Sequence, residues 1–189
     1  ADGQPVAAAK KLLASGASIM GIDLLYQGEF LTDGQPLTQT PVVKNPRPYA
    51  GFTFGYNPTV FAYRVHDVLT ALSYLREHER QPKQVCLVAL DQTAPIAAVA
   101  QLLSTGAADR VALDTHGFRF ANVADFRSPD FLPGSAKYGD LPGVLSACGK
   151  GQLWLAGEPQ TTIADRENVT RYEGDAGKSA EVVAEWLIK

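Results

Sequence analysis

Apolar positions along this chain fall into two alternating patterns, short unbroken runs and stripes at helical spacing. The runs at residues 17–25 (ASIMGIDLL), 85–90 (VCLVAL), 110–114 (RVALD), 152–156 (QLWLA) and 169–173 (VTRYE) read as strands. Runs this short and this apolar suit strands covered on both faces. The clearest helix covers residues 59–79. There Val65, Val68, Leu69, Leu72 and Leu75 form one stripe, and Arg64, Asp67, Arg76 and Glu77 fall outside it. Further helices are expected over residues 5–15, 94–104, 141–148 and 179–188. The first has Pro5 near its opening turn and Gly16 as its stop. Residues 26–58 and 115–140 read as long loops, which in a compact domain are usually functional or disordered.

Strands alternating with helices predict an α/β fold, a three-layer sandwich with a mostly parallel sheet of about five strands. The 189 residues suffice for one core and are read as a single domain over 1–189. Apolar residues at 46 % and charged residues at 20 % are ordinary for a soluble domain. No apolar run approaches a membrane span. The net charge of −3 offers no electrostatic footprint for nucleic acid. Cys86 and Cys148 lie far apart in apolar stretches and are read as two buried thiols. Ala1-Asp2-Gly3-Gln4-Pro5 lacks the basic start and apolar run of a secretory signal. The compartment is therefore left open, an exported protein included. Asn168-Val169-Thr170 fits a glycosylation acceptor, a triplet common by chance.

Sites in parallel sheets lie at the carboxyl ends of strands, so the residues just past each run carry the functional argument. After residue 90 the chain reads Asp91-Gln92-Thr93-Ala94-Pro95 and enters a helix. Strand, sharp turn and Ala-rich helix is the layout of a nucleophile elbow, whose motif is Gly-x-Ser-x-Gly. Here the five positions are Ala89, Leu90, Asp91, Gln92 and Thr93, with both glycines missing and Asp91 in place of Ser. An Asp can act as nucleophile if a His-activated water then hydrolyses its ester intermediate. The plainer expectation is that Asp91 caps the following helix. The acid of such a triad would follow the next-to-last strand, where Glu158 stands. The base would follow the last strand, but Gly174-Asp175-Ala176-Gly177 holds no histidine. Of His66, His78 and His116, only His116 sits at a strand end.

Other chemistry is thinner. Gly174-Asp175-Ala176-Gly177-Lys178-Ser179 echoes the tail of a phosphate-binding loop, but Tyr172 stands where that motif needs its first Gly. A plain helix start is the expectation there. Lys44, Arg47 and Arg64 are read as surface charges rather than an anion site. No metal-ligand spacing and no cofactor motif is visible.

Several segments match a known pattern in order along the chain. Residues 21–30 (GIDLLYQGEF) look like the strand and loop that precede the nucleophile strand of α/β-hydrolases. Gly55-Tyr56-Asn57, then Arg64-Val65-His66-Asp67-Val68-Leu69, resembles the next helix in acetyl xylan esterase-like members of bacterial origin. Phe131-Leu132-Pro133-Gly134 and Lys137-Tyr138-Gly139-Asp140-Leu141-Pro142 also look like that group. The resemblance runs from about residue 6 to 188. It implies hydrolysis of carboxylic esters, often acetyl groups on polysaccharide, and an ester or carbohydrate ligand. Matched by position it puts Asp91 as nucleophile, Glu158 as acid and the backbone of Gln92 in the oxyanion hole, with no His near Asp175. It also implies three strands ahead of the first helix that this chain lacks. They would come from a larger protein's amino-terminal hydrolase portion, or a homo-oligomer would fill their place; failing that, the first two strands here would pair directly. With Ser, His and both glycines lost together, the expectation is a catalytically degenerate hydrolase-like domain kept for folding, association or binding. The alternative is an active esterase with a rearranged site of Asp91, Glu158 and His116.

Overall fold

Four of the apolar runs become strands, because each can be covered by a helix that the neighbouring sequence supplies. The computed structural model describes residues 4–28, 31, 34, 35, 37–45 and 49–189. In it β1 (Cys86–Leu90), β2 (Arg110–Asp114), β3 (Gln152–Ala156) and β4 (Val169–Tyr172) form one parallel sheet in the order β1-β2-β3-β4. The register sets Leu90 beside Asp114, Asp114 beside Ala156, and Ala156 beside Tyr172. All four carboxyl ends therefore open on the same edge of the sheet.

Among the described residues six α-helices accompany the strands: α1 (Ala7–Ala14), α2 (Ala50–Phe54), α3 (Val60–Glu77), α4 (Ala94–Leu103), α5 (Asp140–Ala147) and α6 (Ser179–Ile188). Each strand steps to its next neighbour in one direction, and right-handed crossovers then place the connections on one face. On that face Phe61, Val65, Val68 and Leu72 of α3, Ala97 and Ala98 of α4, and Leu141 and Leu145 of α5 pack with Ala89, Val111, Leu113, Leu153 and Leu155. The opposite face carries Ala112, Trp154 and Ala156 under Val183 and Trp186 of α6. Arg110 fastens that helix: its Nη1 donates to the carbonyls of Trp186 at 2.8 Å and Leu187 at 3.3 Å. A cation at a helix carboxyl end also opposes the helix dipole. Helix α1 lies against α6, with Lys11 Nζ 2.7 Å from Glu185 Oε1.

The α/β class stands, but among the described residues the sheet has four strands instead of about five. Residues 17–25 join no sheet and do not pair with β1. An apolar run becomes a strand only where a neighbour completes its ladder, and this one has none. Its end is instead clipped to α3: the Leu25 N–H donates to Asp67 Oδ2 at 2.9 Å, and Arg64 Nε donates to the Leu25 carbonyl at 2.9 Å. Arg64 is thus no surface charge. It is 5 % exposed, and burial pulls its pKa below the usual value despite the nearby Asp130 and Asp67 carboxylates. Lys44 is exposed, while Arg47, Glu29 and Phe30 lie outside the described residues. Both cysteines are free thiols; burial pushes Cys148 up to about 11 and makes it unreactive. No helix among the described residues is long and apolar enough to cross a membrane.

Candidate functional site

At the end of β1 the backbone turns sharply into a 3₁₀ turn, Asp91–Thr93, and then α4. Asp91 takes φ +60°, a left-handed conformation uncommon for non-glycine residues in general and adopted more readily by Asp and Asn than by most. A sharp strand-to-helix turn is also the backbone shape that a nucleophile elbow requires. Asp91 is no helix cap, however. The start of α4 has no side-chain cap bond, and the Asp91 carboxylate has no hydrogen-bond or ion-pair partner among the described residues. Gln92 beside it is exposed as well.

The ends of β2, β3 and β4 are organised differently. Between them lies a cavity of about 350 Å³ lined by Asp114, His116, Gly157, Glu158, Tyr172 and Ser179, among others. Asp91 does not line it. Asp114, the last residue of β2, is 2 % exposed. Its Oδ2 accepts from Ser179 Oγ at 2.6 Å, and its Oδ1 accepts from the His116 N–H at 3.3 Å. The His116 ring turns back over the same acid, Nε2 lying 3.5 Å from Oδ1, with nearly half of the side chain exposed. The imidazole lies beside a buried carboxylate, with nearly half of its side chain open to solvent or a ligand.

Glu158 also lines the cavity, but its carboxylate is held in a closed network. Arg119 Nη1 and Nη2 donate to Oε1 and Oε2 at 2.8 and 2.6 Å, a bidentate fork. Thr115 Oγ1 adds a donor at 2.6 Å and Thr162 Oγ1 another at 3.0 Å. The carboxylate is fully buried, and the bond to Glu158 raises the Arg119 pKa further. Four donors on one carboxylate leave no lone pair well placed for proton transfer. Gly157 makes the approach of β3 to this turn possible. It has φ +75°, and a Cβ there would sit 2.4 Å from the His116 nitrogen and 3.0 Å from Asp114 Oδ1. Tyr172 forms one wall, its ring stacked on buried Trp154 at 5.2 Å, a flat aromatic surface inside the cavity.

The phosphate-loop echo dissolves at the same place. The Ser179 hydroxyl is bonded to Asp114, and the Gly177 N–H donates to Asp175 Oδ1 at 3.0 Å. Asp175 caps a helix start, as a plain reading expects. The Asn168 amide is likewise engaged, with Nδ2 donating to the Gly151 carbonyl at 2.7 Å. His66 and His78 lie along α3 and at its end, away from the cavity lining. Among the described residues no group of three His, Cys, Asp or Glu is placed to hold a metal ion.

Of the residues singled out in the sequence, the cavity gathers His116 and Glu158 and leaves out Asp91 and Gln92. Asp114 and Arg119 were not foreseen, and Ser179 was noticed only at the tail of the phosphate-loop echo. One signal for Asp114 was present: an acid two residues before the only strand-end histidine. Set against protein-family models, curated proteins and solved structures, the chain matches none of them.

Proposed function

We propose that this is a hydrolase-like α/β domain that no longer turns over esters and instead binds an ester or carbohydrate ligand in the cavity over β2–β4. One observation supports this reading: the cavity gathers His116 and Glu158 but not Asp91. Asp91 stands outside the cavity, and Glu158 is held by Arg119, Thr115 and Thr162. General acid–base catalysis needs the partners within hydrogen-bond reach of a common proton. What the cavity does offer is recognition. His116 presents a polar edge, Tyr172 a stacking wall, and a volume of about 350 Å³ suits a small ligand. Release of p-nitrophenol from its acetate ester tests the loss of catalysis. The expected rate equals that of buffer. Turnover that disappears in both Asp91→Asn and His116→Ala would overturn the reading.

A second reading, an active esterase with a rearranged site, is favoured by the strained backbone at Asp91. Strain of this kind gathers at active sites, and an unpartnered carboxylate on an elbow is free to act as a nucleophile. The same assay decides between the two.

A further inference from the structure

A second cavity, of about 280 Å³, opens where the strands begin. Arg110, Gln152, Glu167, Asn168, Thr170 and Trp186 line it, among others. Side chains alternate between the two faces along a strand, and the register puts Arg110 beside Gln152 and Trp154 beside Thr170. Arg110, Gln152 and Thr170 therefore share the sheet face that carries Trp154 and packs against α6.

Arg110 is half-buried, and two contacts hold its guanidinium in place. Nη1 donates to the carbonyls of Trp186 and Leu187, and Cζ lies 5.3 Å from the centre of the Trp186 ring. The carbonyl end of a helix carries roughly half a negative charge, so about half of the cation is left uncompensated. None of the ion pairs among the described residues includes Arg110. Its Nε and Nη2 make no hydrogen bond with those residues. They form the edge of parallel N–H groups that a carboxylate takes as a fork. A cation fixed before its partner arrives loses little freedom on binding. The polar groups around it have spare capacity. The Gln152 amide and the Thr170 hydroxyl are exposed and have no partner among the described residues. Asn168 uses Nδ2 on the Gly151 carbonyl, which leaves Oδ1 to accept. Glu167 is exposed and makes no ion pair with Arg110.

We infer that this cavity binds a small hydroxylated carboxylate. The acid group meets the free edge of Arg110, and the hydroxyls meet Gln152, Asn168 and Thr170. The site lies at the amino ends of the strands, apart from the cavity over the carboxyl ends of β2–β4, and does not depend on what that cavity holds.

The chain has two tryptophans, and they separate the two cavities: Trp186 lines this one, while Trp154 is buried against Tyr172. Isotope-labelled protein is titrated with sodium D-gluconate up to about 10 mM, beyond the ~1 mM of a weak specific site, and the indole N–H signals are followed by NMR. Sorbitol, the same carbon chain without the acid, and sodium chloride at equal ionic strength are the controls. Gluconate is expected to shift the Trp186 signal in a saturable way and to leave Trp154 in place. Sorbitol should bind at least about tenfold more weakly, for want of the charged hydrogen bonds. Glu167→Gln should tighten gluconate binding about twofold, since it removes a like charge from the same cavity. Gln152→Ala combined with Thr170→Val should weaken it about tenfold and keep the far-UV circular dichroism, because both side chains are exposed. No saturable shift at Trp186 overturns the inference. So does an equal response to sorbitol or to chloride, or an affinity unchanged in the double variant.

Discussion

Asp91 and Asp114 stand at the carboxyl ends of adjacent strands, Leu90 lying beside Asp114 in register, and each is followed by a tight turn. Their surroundings are opposite. Asp91 follows the edge strand of the sheet, exposed, at a φ of +60° and with no side-chain partner among the described residues. Asp114 lies one strand further in, where β3 and the start of α6 close over it, and it holds Ser179 while facing His116. A strand end becomes a structured site when neighbours on both sides can reach it. Among the described residues only one side of β1 is occupied. The turn after β1 therefore has a left-handed corner without the neighbouring groups that organise the inner strand ends.

Substitutions that remove support from the inner strand ends should cost far more than changes at the elbow. The largest expected effect is Glu158→Ala. It strips Arg119 and two hydroxyls of their acceptor in a buried setting, and unpairing a buried charge costs roughly 3 kcal/mol. Thermal unfolding should fall by about 6–12 °C in a chain of this size. Gly157→Ala comes next, since the new Cβ meets the His116 nitrogen at 2.4 Å. A loss of about 2 kcal/mol is expected in denaturant titration, with the His116 resonances displaced because the turn that carries them must move. If both variants unfold like the wild type, the inner network is ornamental and the contrast with Asp91 fails.

Acid sharpens the same contrast through Asp140. Burial pushes this carboxyl up, but the N–H groups of Ala121, Leu141 and Phe120 and the charge of Arg119 pull it down more strongly, so its folded pKa lies below the ordinary value. A depressed acid contributes stability that is complete above the unfolded value, about 3.9. That stability is lost as pH falls through the lower folded value. Asp140→Asn should therefore lower the melting temperature at pH 7 and flatten its decline between about pH 5 and 2. An unchanged acid limb would contradict the assignment. The smallest effect has the opposite sign. Asp91→Gly relieves the φ +60° strain at the expense of unfolded-chain entropy, for a net gain of about 0.5 kcal/mol. A loss above about 1 kcal/mol, the size of an ordinary hydrogen bond, would mean that Asp91 has a structural partner after all.

These contrasts mirror what could be read along the chain. The stripe Val65-Val68-Leu72 and the runs at 85–90, 110–114 and 152–156 were legible because burial is recorded locally as apolar spacing. The run at 169–173 was legible too, shortened by one residue at β4. Residues 17–25 carry the same local signal, but a strand also needs a neighbour, and that lies outside any window of sequence. The site divides in the same way. His116 and Glu158 were found because strand ends were searched. Asp114 was passed over as the last residue of an apolar run, since its partner Ser179 is 65 positions away. The bonding of Glu158 was hidden for the same reason: Arg119, in a loop with no regular pattern, is what closes its carboxylate off. Arg64 fell outside the apolar stripe, and only the fold shows that it points at the backbone of Leu25.

The central claim is that ligand recognition belongs to the ends of β2–β4 and not to the elbow at β1. The chain has three histidines, and only His116 lines the cavity, so its imidazole is a clean reporter. Titration of the labelled protein with acetylated xylotriose, followed by NMR, is the most direct measurement. The account expects the His116 ring signals to shift in a saturable way, those of His66 and His78 to stay in place, and the response to vanish in Tyr172→Ala. Saturable shifts at the amides of Gln92 and Thr93, with His116 unmoved, would contradict it.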